Sequence, residues 1–371
     1  MAQLSDYTTL GLGGPAKTFV EAASEDELVA AVRAADAADE PVLLLGGGSN
    51  LVIADDGFPG TVIHIGPRGL EFSAPSADDL VDVTVAAGED WDSVVAATVA
   101  RGLAGLECLS GIPGRAGATP VQNVGAYGQE VAEAITSVRV FDRVKGTTFD
   151  LPNASCHFAY RNSLFKSGAP DRYVVTSVTF RLHRDSLSRP VKYAELASAL
   201  GVEMGERAAA DAVRAAVLKI RGRKGMVLNP DDPDTRSAGS FFTNAVISAE
   251  QFAHVEAVAA TRDSVRATGR PVPRFPVSPV EGSPVEGSPV EGGDGLVKVP
   301  AAWLIEHAGF TKGYGAPGPA RVSSKHTLAL TNAGGATTAD LLALAREIVA
   351  GVREVFGVTL TPEPTLVGVT L

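Results

Sequence analysis

Cysteine and basic residues are both in short supply in this chain, and each shortage removes a class of function. Two cysteines, Cys108 and Cys156, are too few for a disulfide framework and do not have the spacing of a metal site. A reducing, cytoplasmic setting is the simplest expectation. Lys and Arg number 32 against 43 Asp and Glu, a formal net charge of −11. That balance argues against general nucleic-acid or membrane-surface binding, which needs basic patches, but leaves room for a local basic site on an anionic ligand. No uninterrupted apolar run reaches the roughly 20 residues of a spanning helix. Residues 1–6 have neither the basic nor the apolar region of a signal peptide. What is present is the composition of a globular protein, 45% hydrophobic and 20% charged, over 371 residues, a length that predicts two or three domains.

Glycine, by contrast, is concentrated in two runs. The first, Gly46-Gly47-Gly48-Ser49-Asn50, follows the apolar strand expected at 41–45. Its glycines let backbone N–H groups approach an anion closely. The continuation Leu51-Val52-Ile53-Ala54 reads as strand, so this is not the dinucleotide fingerprint whose glycines open a helix. A plain tight turn remains an equal reading. The second run extends over residues 110–128, small and weakly polar, with Thr119, Gln122 and Asn123 as hydrogen-bonding side chains. A flexible linker would hold more Ser and charge. Structureless loops of this length are uncommon in compact domains, so a backbone packed against something flat and large is expected.

Elsewhere the periodicity predicts strands at 17–21, 79–87, 137–141, 173–181 and 327–331. Helices are expected at 24–35 behind a Ser24/Glu27 capping box, from Trp91 with Val94, Val95 and Val99 inward, at 208–221, 249–266, 298–309 and 338–355. Residues 8–14 read as a flexible entry loop. Tyr160-Arg161-Asn162-Ser163 mixes an aromatic with a cation suited to bidentate carboxylate binding, or is a surface segment. Arg221-Gly222-Arg223-Lys224 is either a basic helix C-terminus favoured by the dipole or a phosphate site. Gly239-Ser240-Phe241-Phe242-Thr243-Asn244 could form an apolar wall with a hydroxyl and an amide on its rim, or a buried strand. Three tandem Ser-Pro-Val-Glu-Gly units start at Ser278, Ser283 and Ser288. They carry too little apolar surface to order themselves and are expected to form a mobile surface loop at 276–293.

Taken in order, these landmarks resemble the MurB family of UDP-N-acetylenolpyruvoylglucosamine reductases. The resemblance rests on Thr9-Leu10-Gly11-Leu12-Gly13-Gly14, Leu45 to Leu51, Gly111-Ile112-Pro113-Gly114 through Gln122-Asn123-Val124-Gly125-Ala126-Tyr127-Gly128, Tyr160-Arg161-Asn162-Ser163, Ala238-Gly239-Ser240-Phe241-Phe242, Leu304-Ile305-Glu306 and Pro362-Glu363. Each motif is weak alone; the ordered set covers nearly the whole chain. The resemblance implies an α+β fold: a two-part FAD-binding module of the MurB/vanillyl-alcohol-oxidase type plus a C-terminal α+β substrate-binding domain. The corresponding divisions are 1–68 completed by 358–371, then 69–224, then 225–357.

It also implies non-covalent FAD, NADPH as hydride donor, and reduction of the enolpyruvyl ether of a UDP-sugar in peptidoglycan precursor synthesis, by a cytoplasmic enzyme expected to be a monomer. Arg161, Ser240 and Glu363 match the family's catalytic positions. Arg161 would neutralise charge developing on the substrate carboxylate. Ser240 would give the proton to the resulting carbanion. Glu363 would act protonated or through a water, because an ionised carboxylate there would repel the enolate. FAD would be held by Gly46, Gly47, Gly48, Ser49, Asn50, Gly111, Ile112, Gly114, Thr119, Asn123, Val124 and Gly125. Substrate would be held by Tyr160, Tyr193, Lys224 and Asn244, with Tyr193 on a substrate-capping loop and Lys224 on a diphosphate or on the nicotinamide cofactor's phosphate. No metal is implied. Two departures stand out: Pro364-Thr365 follows Glu363 where the family often has Val-Arg, and the five-residue repeats have no family counterpart. An alcohol or sugar oxidase on the same FAD fold, and a non-catalytic nucleotide-binding protein, are the alternative readings.

Overall fold

The computed structural model describes residues 1–262, 265, 271–276 and 295–371, so the Ser-Pro-Val-Glu-Gly repeats lie outside the described residues. The chain divides into two compact units. The first comprises residues 1–2, 16–48 and 59–227; the second comprises 3–15, 49–58 and 228–371.

The first unit is built on two sheets. In the smaller, Phe58–Ile65 lies between Ala16–Ala22 and Val42–Leu45, and the helix Glu25–Ala37 covers it through Leu28, Val29 and Val32. Ser24 caps that helix by accepting from the Glu27 N–H (3.2 Å). The Glu27 carboxylate reaches one residue further back than a capping box requires, to the Ala23 N–H (2.8 Å). The larger sheet runs in the order Thr147–Pro152, Ile135–Asp142, Tyr173–Arg184, Leu80–Ala86, Leu70–Phe72, with Leu103–Ala104 also on the long strand. Alternation decides which face is inward: Val81, Val83 and Val85 are buried, as are Val138, Val140, Val178, Phe180 and Leu182. The helix Trp91–Ala100 closes this core with Trp91, Val94 and Val95, Val99 packs against it partly buried, and Thr98 is fully buried as well. Thr98 can be inside because its hydroxyl donates to the Val95 carbonyl (2.8 Å).

A sheet strand can also carry a buried charge when its partners are complete. Asp142 ends the strand Ile135–Asp142 and is fully buried. Its carboxylate accepts from Arg172 Nη2 (2.7 Å) and from the N–H groups of Val144 and Lys145. The Arg172 pair, followed by the backbone donors, holds the Asp142 carboxyl at about 2 against an ordinary 3.8. A depressed folded-state value means that this contribution is present above pH about 4 and fades as pH falls through about 2. Thermal melts of Asp142→Asn and the parent should therefore differ at neutral pH and converge near pH about 2.

The second unit has smaller sheets and a larger single core. Ala245–Ser248 pairs with Leu296–Val299, which also pairs with Phe275–Pro276; Ala320–Val322 pairs with Leu330–Asn332. Thr365–Val367 pairs in parallel with Leu51–Ile53, so the last strand of the chain docks on one from its first sixth. The helix Thr338–Phe356 opens with a Thr337/Asp340 capping box and buries Leu341, Leu342, Ala345, Ile348 and Val352, the stripe its periodicity predicts. Residues 8–14, expected as a flexible entry loop, instead belong to this core. Leu10 and Leu12 are buried, Thr9 Oγ1 donates to the Ser237 carbonyl (2.6 Å), and Asn332 Nδ2 donates to the Leu10 carbonyl (3.1 Å). Gly14 packs so closely that a Cβ there would stand 2.0 Å from the Asp55 carbonyl oxygen. Among the described residues no helix is long and apolar enough to cross a membrane.

Candidate functional site

In the first unit the two glycine runs meet. A Cβ on Gly47 would fall 2.8 Å from the Gly114 Cα, and one on Gly46 would fall 3.5 Å from the Arg115 Cγ. At Gly47 backbone lies against backbone, so that position tolerates no side chain, whereas Gly46 sits at ordinary contact distance from the Arg115 side chain. The second run is fastened to the segment before the helix Trp91–Ala100: Trp91 N–H donates to the Gly114 carbonyl, Ala116 to Glu89 and Gly117 to Ala87. Gly111 is held from the other side, its N–H donating to Asp92 Oδ1 (2.6 Å), while Ile112 packs on the apolar core. The side chains of Thr119 and Asn123 face into the protein. Thr119 Oγ1 donates to the Ala116 carbonyl (2.8 Å). Asn123, buried and at φ 47°, donates to Glu130 Oε2 (2.7 Å) and the Ala159 carbonyl (3.1 Å) and accepts from the Ala132 N–H. Val124 N–H donates to the Thr119 carbonyl. What the run presents outward is therefore mainly its backbone.

Arg161 is built onto this run. Ala159 and Asn162 exchange both backbone hydrogen bonds, which leaves Tyr160 and Arg161 as a two-residue turn. Arg161 sits at φ 54°, a position that glycine or asparagine ordinarily fills. Holding an arginine there costs on the order of 1–3 kcal/mol, a strain typical of functional turns. Its guanidinium donates to the Gly125 carbonyl from Nη2 (2.7 Å) and to the Asn123 carbonyl from Nη1 (3.4 Å), and lies 5.4 Å from the Tyr160 ring centre. Gly125 is crowded from two sides: a Cβ there would stand 2.8 Å from Glu130 Cγ and 3.1 Å from Arg161 Nη1.

Tyr193 and Lys224 come together beside the same run. Tyr193 precedes the helix Ala194–Leu200, is exposed, and meets the Tyr127 ring edge-on at 5.3 Å. Lys224 caps the helix Ala210–Arg223 and its Nζ donates to Glu195 Oε2 (2.6 Å). Burial pushes the Tyr127 hydroxyl up to about 12, so it stays neutral.

Two further cations stand out in this unit: Arg221, the first residue of the basic cluster 221–224 read from the sequence, and Arg115, which sequence reading did not single out. Arg221 is 8% exposed; its Nη2 donates to the Met226 carbonyl (2.8 Å), but its buried Nε–H has no partner among the described residues. Burial lowers the Arg221 pKa, opposed by Tyr127 and Asp92. The Asp92 carboxylate is already engaged by Arg214 (2.7 and 2.8 Å). A buried guanidinium without a direct counter-ion is costly, so the site calls for an anionic or strongly accepting group. Arg115 shares the orphaned Nε. The signal that could have marked Arg115 is a lone cation set between Gly114 and Gly117 in an otherwise uncharged run.

In the second unit, Ser240 and Glu363 come together from opposite ends of the segment 228–371. Phe241 N–H donates to the Leu328 carbonyl (2.8 Å), Glu363 N–H donates to the Phe241 carbonyl (2.9 Å), and Thr243 N–H donates to the Thr361 carbonyl (3.0 Å). Residues 241–243 thus run against 361–363, with Ser240 and Glu363 both half-buried at one end. Phe241 and Phe242 are buried beneath them, rings edge-to-face at 5.1 Å. Asn50 joins the patch: its carbonyl accepts from Thr365 N–H (2.9 Å) and its Nδ2 donates to the Glu363 carbonyl (3.5 Å). Ser49 precedes it. Asn244 turns its Oδ1 inward to accept from the Ala301 N–H (3.1 Å), at the start of the helix Ala301–His307. Among the described residues no cluster of His, Cys, Asp and Glu could hold a metal. Both cysteines are free and buried, their thiols pushed up to about 12 by burial, which leaves them unreactive.

The chain matches two known families: an FAD binding domain over residues 16–152, and the C-terminal domain of UDP-N-acetylenolpyruvoylglucosamine reductase over residues 231–367. It is 56% identical to the UDP-N-acetylenolpyruvoylglucosamine reductase of Thermobifida fusca (strain YX), over 99% of this chain and 97% of that protein. It is 54% identical to the reductase of Streptomyces coelicolor, over 100% of this chain and 90% of that one. Its fold is that of the crystal structure of the reductase (MurB) from Thermus caldophilus, with a TM-score of 0.60 at 24% identity, covering 99% of this chain and 97% of that one. By these full-length likenesses, the chain belongs to the UDP-N-acetylenolpyruvoylglucosamine reductase family.

Proposed function

We propose that the chain reduces the enolpyruvyl ether of UDP-N-acetylglucosamine to UDP-N-acetylmuramate, with FAD held non-covalently and NADPH as the reductant, as a cytoplasmic monomer of peptidoglycan precursor synthesis. The observation that carries the reading is the 56% identity to a named reductase along almost the entire chain. The structure fits the cofactor on its own terms. Two glycine runs pack so tightly that a Cβ at Gly47 would clash, and Arg115 and Arg221 each bury an Nε–H that lacks a partner among the described residues. FAD, when bound, would relay a hydride from the nicotinamide to the substrate's alkene.

The protein's own groups then have separable tasks. Gly46, Gly47, Gly48, Ser49 and Asn50, with Gly111, Ile112, Gly114, Thr119, Asn123, Val124 and Gly125, would hold the cofactor, mostly by backbone. Arg161 would offset negative charge on the substrate carboxylate, a preorganised charge being worth most where water is excluded. Ser240 Oγ would give its proton to the carbon next to that carboxylate. Glu363 would stand beside the carboxylate in neutral form or through a water. Tyr160, Tyr193, Lys224 and Asn244 would bind the sugar nucleotide. Lys224 is engaged with Glu195 here, so binding a diphosphate would require that carboxylate to yield.

A visible spectrum of the purified protein tests the reading. The expected result is a flavin band that bleaches with NADPH under anaerobic conditions and returns on adding UDP-N-acetylglucosamine enolpyruvate. A band that returns with oxygen and ignores that substrate would replace the reductase with an oxidase. No band, even after adding FAD, would remove both.

A further inference from the structure

Arg115 lies at the contact between the two glycine runs, half-buried, with its Nε–H fully enclosed. It follows Gly114 (φ 125°) and is fixed at the backbone by pairing with Asp90. Its side chain passes over the first run, so that a Cβ on Gly46 would meet Arg115 Cβ and Cγ at 3.6 and 3.5 Å. The Nε–H is buried with no partner among the described residues. The acidic neighbour Glu89 is already used: Oε1 accepts from the Gly69 N–H (2.8 Å) and Oε2 sits 3.5 Å from Arg68. The Asp90 carboxylate likewise accepts from the Ser93 N–H and hydroxyl, so a partly desolvated guanidinium that faces Arg68, and whose nearby carboxylates are each bonded elsewhere, is a site for an anion. The neighbouring His64 records the same excess of positive charge. Its pKa is lowered by burial first and by Arg115 second.

Resting on the flavoprotein reading above, we propose that Arg115 binds the diphosphate of FAD, closing over it from the second glycine run while the first run supplies backbone donors. The fork of a guanidinium matches phosphoryl oxygens two at a time, and an Nε–H with one Nη–H is the edge that does so. The two glycine runs meet beneath this side chain, which is where a diphosphate held by backbone would bring its charge.

The test is FAD affinity, measured by titrating apo-protein and following flavin fluorescence at several salt concentrations. Arg115→Gln should weaken FAD by about tenfold to a hundredfold, the usual scale for a charge-assisted bond. It should also flatten the salt dependence, because a lost ion pair removes a screened interaction. Arg115→Lys should bind FAD with intermediate affinity and keep the salt slope, which decides the matter if the Gln variant fails to fold. UDP binding to the FAD-loaded protein should be unchanged in either variant. Parent protein that binds FAD, with variants of equal affinity and slope, would overturn the role of Arg115 while leaving the flavoprotein intact. Lost UDP binding with unchanged FAD would overturn it in favour of the substrate's diphosphate. A parent that binds no FAD would instead remove the reading on which this rests.

Discussion

Ser240→Ala should leave FAD bound and NADPH-driven bleaching of the flavin close to normal, while return of the band with the enolpyruvyl substrate slows by about 10²–10⁴-fold, the range for a lost general acid. The local structure makes the substitution clean. The pairing of this segment runs through main chain, from Phe241 to Leu328 and Glu363 and from Thr243 to Thr361, and the Phe241–Phe242 pair below it is untouched. Alanine fits wherever serine does, so the fold should not report the change. Stopped-flow traces of the two half-reactions give the answer directly. Equal slowing of both would assign Ser240 a structural role. Slowing of the second alone, with the substrate's Kd unchanged, would assign it to proton delivery, since an interaction made only in the transition state leaves ground-state binding alone.

Much of the architecture was readable from pattern. Alternation found the strands Leu80–Ala86, Ile135–Asp142 and Tyr173–Arg184, and helical periodicity found Thr338–Phe356. The failures share a cause. Residues 8–14 looked like a loop because what orders them, Ser237 and Asn332, lies more than 200 residues away. The strand Thr147–Pro152 went unread although it completes a hairpin with Ile135–Asp142, because its Thr, Asp and Pro residues weaken the apolar signal. Thr98 is buried alongside the expected Val99 because a hydroxyl bonded to its own helix can be inside. At the candidate site, the glycine runs and the Ser240 stretch stood out by composition. Arg221 stood out only as part of the basic cluster 221–224, and Arg115 not at all, because an unpartnered buried Nε–H is defined by the atoms around it and has no sequence pattern. Nor could spacing reveal that the Asn123 side chain ties the second run to Glu130 and Ala159.

Arg161→Lys should cost the enolpyruvyl half-reaction about 10²–10³-fold, the scale for removing one preorganised stabilising group. Charge is conserved in this variant, so simple electrostatics predicts a small effect. Geometry predicts a large one. The guanidinium spans two carbonyls of the second glycine run, Gly125 at 2.7 Å and Asn123 at 3.4 Å, and stands against the Tyr160 ring. An ammonium on a flexible stem cannot hold both carbonyls and keep a planar edge for a carboxylate. Arg161→Gly separates the remaining possibilities. Glycine accepts φ 54° without strain, so this variant should be at least as stable as the parent in a thermal melt and still lose the half-reaction. If instead the glycine variant retains the rate, the residue's part is to shape the turn. If both variants lose FAD affinity along with rate, Arg161 acts by fastening the glycine run, because its two anchoring carbonyls belong to that run and to nothing else in the turn.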